Sequence, residues 1–210
     1  MSGVYLYALL SAAPSCETGR GVCAEQLRVV VVGNLVALVG DVRQSPAPTA
    51  VAVRAQDAIL RRLAAGVDGV LPVRFGTLVA DDGALAESLE LRRPHLARAL
   101  SRVCGCEQMT LRVWGEIAVP VSPVTGGGRE RMPSVPELDP VRRRLGDLVR
   151  EERAELHARA PLLVTVQHLI PRGAGGRYLE EIDAARDSLR PWRVSVTGPG
   201  PAYVFAEDAA

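Results

Sequence analysis

The run Leu27-Arg28-Val29-Val30-Val31-Val32-Gly33-Asn34-Leu35-Val36-Ala37-Leu38-Val39 decides the class of the fold. Two valine- and leucine-rich segments flank Gly33-Asn34, and both of those residues tolerate positive φ. A two-residue connection of that kind closes an antiparallel hairpin. Upstream, Val4 to Leu10 is apolar and contains Tyr5 and Tyr7, so it reads as a buried first strand. Ser11 to Gly21, with Pro14, Gly19 and Gly21, is the loop between them. Sheet structure therefore opens the chain.

Downstream, the prolines of Ser45 to Thr49 lead into a helix over Ala50 to Ala65, where Ala55, Ile59 and Leu63 recur every four residues. Gly66 and Gly69 stop it. Val70 to Gly76 is a short apolar strand, and its Pro72 marks it as an edge or a bulge. Asp81 and Asp82 suit the N-cap of a second helix that carries Leu85, Leu89, Leu96, Leu100 and Val103 on one side. Pro94 predicts a kink or a break there. Gln108 to Trp114 closes this set as a strand. The order β-β-β-α-β-α-β predicts an α+β domain over 1–118, with a ferredoxin-like sheet and both helices on one face.

Four prolines and Gly126-Gly127-Gly128 mark 119–138 as a linker. A smaller α+β C-terminal domain over 139–210 follows. Asp139 and Pro140 start its helix, whose stripe is Val141, Leu145, Leu148, Val149 and Leu156. Leu162 to Ile170 then reads as a strand, Arg177 to Leu189 as a helix and Trp192 to Val196 as a strand. The expected architecture is thus a two-domain α+β protein.

Composition restricts the function. Of 210 residues, 48% are hydrophobic, enough for a buried core. The net charge is +1, and all 25 basic residues are arginines scattered along the chain, so no concentrated positive field points to nucleic acid. No stretch approaches the roughly 20 apolar residues that span a bilayer, so no membrane partner is expected. Met1 to Leu10 has no positive segment before its apolar residues, which argues against a secretory signal. Cys16, Cys23, Cys104 and Cys106 lack zinc-site spacing and read as cytosolic thiols, with a Cys16–Cys23 disulfide open under oxidation.

A search for chemistry in the residues leaves little. His95, His157 and His168 are far apart and have no partner motif. Gly126-Gly127-Gly128 lacks the Lys-Ser/Thr of a phosphate loop. Glu151, Glu152 and Glu155, interleaved with arginines, read as the solvated face of the third helix. No catalytic, cofactor-binding or metal-binding residue is assigned, and no cofactor is expected.

Two segments carry a family resemblance. Leu71-Pro72-Val73-Arg74-Phe75-Gly76-Thr77 resembles the LPVRFGT-type strand of the gas vesicle F/L proteins, and Thr197 to Phe205 resembles that family's TGPWPPYSF-type closing segment. Gly200-Pro201-Ala202 stands where the family carries Trp-Pro-Pro. Val4-Tyr5-Leu6-Tyr7 and the helix from Asp82 fit the family as well. The signature positions are Leu71, Pro72, Arg74, Phe75 and Gly76, with Gly198, Pro199, Pro201, Tyr203 and Phe205. Each has a structural reading beside a partner-contact one. Arg74 would pair with a carboxylate or meet a partner, Gly76 would allow a turn, Gly198 to Pro201 would form a stiff turn, and Tyr203 and Phe205 would pack back on the domain.

The resemblance implies a cytoplasmic, gas vesicle associated, non-catalytic assembly factor. Its implied partners are the apolar shell protein and other gas vesicle accessory proteins. The contact would be a groove between the domains or an open sheet edge near Leu71 to Phe75. The alternative is a small-molecule-binding α+β protein, regulatory or enzymatic.

Overall fold

The computed structural model describes residues 2–15, 17–116 and 138–206. The chain forms two compact units: residues 1–106 with 201–210, and residues 107–200. The expected linker therefore lies, but for its last residue, outside the described residues, and so does one partner of the proposed Cys16–Cys23 disulfide.

In the first unit, β2 (Leu27–Val32) and β3 (Leu35–Val42) form an antiparallel hairpin, and β1 (Gly3–Leu10) pairs antiparallel with the other side of β3. Val32 pairs with Leu35 across the Gly33-Asn34 turn, where Gly33 has φ +59°. Helix α1 spans Ala50–Gly66 and is capped by Thr49, whose side chain accepts from the Ala52 amide. Strands β4 (Val70–Pro72) and β5 (Leu78–Val79) both pair with β1, giving the order β2-β3-β1-β4 with β5 also on β1. Helix α2 (Asp82–Val103) is capped by Asp81 and passes through Pro94 as one element, so the expected break does not occur.

The two helices lie on opposite faces of this sheet, not on one. Ile59, Leu60 and Leu63 of α1 join the cluster of Tyr5, Tyr7, Ala8 and Leu10. Leu85, Leu89 and Leu96 of α2 instead meet Leu6 and Leu9, the alternate residues of β1. The register shifts between Leu6 and Ala8, which puts Tyr7 and Ala8 in the same cluster. A strand whose residues are apolar on both sides, as Val4 to Leu10 is, needs cover on both. The last short helix, α5 (Tyr203–Ala206), packs on β4 and α2.

The second unit contains β6 (Cys106–Trp114), α3 (Asp139–Leu145), β7 (Glu151–Leu156), β8 (Leu162–Pro171), α4 (Gly175–Ala185) and β9 (Arg193–Gly200). The sheet order is β7-β8-β6-β9, so the β-α-β-β-α-β succession of ferredoxin-like units belongs here and not to the first unit. Strand β6 pairs with β9 from Thr110 to Trp114, which places it in this unit instead of closing the first. Helices α3 and α4 pack together over Met109, Leu111, Val113, Val164 and Val166.

The third helix is shorter than its stripe predicted. Leu138 occupies the cap position without a side-chain bond, Asp139 is already helical, and α3 ends at Leu145. Glu151 to Leu156 is then a strand paired residue by residue with β8. Its residues favour helix when isolated, but ladder pairing with a buried neighbour overrides a preference worth only tenths of a kcal/mol per residue.

Candidate functional site: an apolar pocket beside the signature strand

Strand β4 pairs Leu71 with Leu9 and Pro72 with Ala8. Pro72, which has no N–H to give, ends the strand, as the sequence position of an edge proline predicts. The chain then leaves the sheet for Val73 to Thr77 and returns as β5 opposite Val4 and Tyr5. Gly76 has φ +92°, a conformation that glycine adopts without penalty.

This excursion is fastened on every side. The Val73 amide donates to the Tyr7 carbonyl at 3.1 Å and the Leu6 amide to the Thr77 carbonyl at 3.0 Å. The Gly76 amide donates to the Tyr5 hydroxyl at 2.9 Å, and that hydroxyl donates to Gln56 Oε1 at 2.7 Å. Gln56 Nε2 in turn donates to the Val73 carbonyl at 3.3 Å, and Thr77 Oγ1 to the Arg74 carbonyl at 2.8 Å. Burial raises the Tyr5 hydroxyl above its ordinary pKa against the opposing pull of the Gly76 amide, so it keeps its proton and can donate. Phe75 meets the Tyr5 ring edge-on at 6.1 Å.

The turn walls one side of a cavity of about 210 Å³. Leu6, Leu9, Leu71, Pro72 and Val79 form its sheet side, Val73 follows on the turn, and Leu85, Leu89 and Leu96 of α2 form the opposite side. Ser88, Arg92, Arg74 and Thr77 complete the lining. Arg74 is exposed and, among the described residues, makes no ion pair, contrary to a buried arginine tied to a carboxylate. The reason is that the strand stops at Pro72, so Arg74 rides on the turn and not within the sheet.

The closing signature divides between the units. Gly198 and Pro199 lie inside β9, which runs on to Gly200, and not in a turn after it. Gly198 has φ +128°, and a Cβ there would stand 2.7 Å from the Gln108 carbonyl oxygen. Only glycine admits that approach. Pro201, Tyr203 and Phe205 belong to the first unit. Phe205 is fully buried, and the Tyr203 hydroxyl donates to Asp57 of α1 at 2.8 Å. The packing of Tyr203 and Phe205 thus occurs on the unit that carries β4, and α5 brings the end of the closing segment to the first signature.

A polar chain that sequence reasoning missed runs through the second unit. His168, 1% exposed, places Nδ1 at 2.7 Å from the Tyr178 hydroxyl and Nε2 at 3.0 Å from Glu152. Glu152 also accepts from Arg142 at 2.7 Å. Burial alone would raise the Glu152 carboxyl, but hydrogen bonds from His168 and Arg142 overcome it and hold the pKa down at about 2. The carboxylate–imidazole–hydroxyl order mimics a nucleophile relay, but Tyr178 is fully buried and its hydroxyl is pushed up by that burial. A nucleophile needs access and a lowered pKa, so the chain serves the core. Glu152 therefore does not lie on the solvated helix face expected for it.

The remaining candidates are dispersed. His157 bonds Thr165 Oγ1 at 2.8 Å. An open hollow of about 770 Å³ lies by Trp114 and Trp192, where Arg186 pairs with Asp183 and Arg190 with Asp187. Among the described residues no group of three or more His, Cys, Asp or Glu could hold a metal ion. No helix among them is long and apolar enough to cross a membrane.

Comparison with known proteins agrees with this geometry. The chain is similar to the crystal structure of the gas vesicle protein GvpF from Anabaena sp. PCC7120, with a TM-score of 0.80 at 14% identity, covering 99% of this chain and 97% of that one. It is similar to that of GvpF from Microcystis aeruginosa, with a TM-score of 0.78 at 14% identity, covering 98% and 99%. At such identity the likeness speaks for the fold. No curated protein matches the sequence. The profile of the family described as gas vesicle synthesis protein GvpL/GvpF matches residues 3–121, which takes in the pocket and its signature strand. The chain belongs to the GvpL/GvpF family of gas vesicle synthesis proteins.

Proposed function

We propose that the chain is a non-catalytic, cytoplasmic assembly factor of gas vesicles that binds the apolar shell protein through the pocket of its first unit and limits aggregation during nucleation. One observation carries this reading: Leu71 to Arg74 and Thr77 of the family signature line an apolar cavity, on a turn fastened by the Tyr5–Gln56 brace. A shell subunit made for a water-repelling wall exposes apolar and strand-edge surface before assembly, and such surface self-associates. Burying one Leu- or Val-sized side chain contributes about 1.5–3 kcal/mol. That is a reversible grip, suited to release into a growing wall.

The test is co-expression of the shell protein with this chain or with its Ser88→Trp variant. Ser88 is exposed and lines the pocket, so an indole there fills the space without disturbing the core. The wild type should raise the soluble fraction of the shell protein, and the variant, folded by circular dichroism, should not. Equal solubility with and without the wild type would reject the reading.

A further inference from the structure

The pocket described above is apolar within, and its lining contains two arginines, Arg74 and Arg92, and no carboxylate. Three arginines of the first unit sit against acids, Arg28 with Asp41 and Asp82, Arg61 with Asp57 and Arg93 with Glu90, while Arg20 and Arg62 bond backbone carbonyls. Arg74 differs. It is exposed, it makes no ion pair among the described residues, and its backbone is fixed by the Thr77 and Gln56 bonds of the turn. A guanidinium with no acid partner among the described residues, beside an apolar cavity, is available to a carboxylate of a partner.

We propose that the pocket recognises a two-part element of its client: one aliphatic side chain that enters among Leu6, Leu71, Leu85 and Leu89, and a carboxylate close by in the client sequence that pairs with Arg74. This rests on the shell-protein reading and adds the chemistry by which the client is chosen. The cavity of about 210 Å³ has room for an aliphatic side chain. A purely apolar socket would accept any greasy segment. A cation at its rim rejects a segment with a basic residue in that place and favours one with an acid, so specificity comes from charge and grip from burial. Carboxylates also lie outside the pocket on α2, at Glu87 and Glu90, with Glu90 held by Arg93.

The experiment uses the full-length chain and overlapping peptides that tile the shell protein, with the intact shell protein as a parallel arm. Wild type should retain peptides in which Asp or Glu stands within a few positions of Leu, Ile or Val, and retention should weaken as salt rises. Arg74→Glu should weaken retention at least about tenfold, the size expected when an attractive rim contact is made repulsive. Changing the peptide's acid to Arg should restore binding to Arg74→Glu while abolishing it for wild type. Arg74→Gln should remove the salt dependence. If wild type retains the shell protein but Arg74→Glu retains it equally, or if peptides without an acid bind as well, the charge selection is wrong and the assembly reading survives. If wild type retains neither peptide nor shell protein, both fall.

Discussion

Tyr5→Phe isolates the brace that shapes the pocket. The hydroxyl donates to Gln56 Oε1 at 2.7 Å and accepts from the Gly76 amide at 2.9 Å, with Tyr5 fully buried and Gln56 only 4% exposed. Its loss leaves Gln56 Oε1 an orphaned buried acceptor, at a cost of about 1–3 kcal/mol. The Gly76 amide is half-buried, so water can replace part of its bond, adding about 0.5–1 kcal/mol. The ring stays, and with it the contacts to Tyr7 at 4.7 Å and Phe75 at 6.1 Å. The total, about 1.5–4 kcal/mol, falls locally on residues 73–77. Since 1.4 kcal/mol is tenfold in an equilibrium, amide exchange in a peptide over that turn should speed up about 10- to 700-fold. Both tryptophans, Trp114 and Trp192, lie in the second unit, so their fluorescence in urea serves as the control and should shift little. Acceleration below about threefold at the turn would refute the brace, because an orphaned acceptor cannot cost so little.

Three further outcomes follow from the same geometry. Glu152 has its pKa lowered from 4.5 to about 2 in the folded chain, so its contribution is complete above pH 4.5 and is lost as pH falls toward 2. At 1.36 kcal/mol per unit that is about 3 kcal/mol, and acid titration of second-unit unfolding should flatten in Glu152→Gln. Phe205→Ala removes a fully buried ring from α5 and should cost the first unit about 3–5 kcal/mol, read by chemical denaturation; a loss under 1 kcal/mol would mean that α5 is not docked. Gly198→Ala sets a Cβ 2.7 Å from the Gln108 carbonyl at φ +128°, so it should destabilise the β6–β9 pairing by about 2 kcal/mol or more, visible as a lower melting temperature by tryptophan fluorescence.

The sequence was legible where local chemistry is decisive. Gly33-Asn34 closes its hairpin, Asp81 caps α2, and Gly76 takes the positive φ of a turn. It misled where tertiary pairing overrides local preference. Glu151 to Leu156 looks helical by composition, and only the register with β8 makes it a strand. Proline at position 94 lost to the burial of Leu89, Leu96 and Leu100 on one continuous face. The opposed faces of β1 had a signal in Val4 to Leu10, which does not alternate with polar residues and therefore needs two covers. Gln56 also had one, being a polar residue within the α1 stripe that includes Ile59, Leu60 and Leu63. The Glu152–His168–Tyr178 chain had none, since its members lie on different elements and share no spacing.

The two signature segments, far apart in sequence, are one structural device. Strand β4 would be an open edge, and an apolar open edge is a template for aggregation. The chain leaves the first unit, builds the second, and returns to set α5 against β4 and α2, with Phe205 buried and Tyr203 tied to Asp57. That return packs α5 on β4, whose Leu71 and Pro72 line the cavity. The opposite edge, β2, exposes Val31, but Arg28 sits there between Asp41 and Asp82 as a charged guard. An assembly factor of the kind proposed above would have to hold an apolar client without joining its aggregate. In this chain the signature strand faces a small concave space with Arg74 in its lining, β4 has α5 packed on it, and β2 carries the paired Arg28. A flat apolar patch of equal area would bind the client as well and would also bind copies of itself.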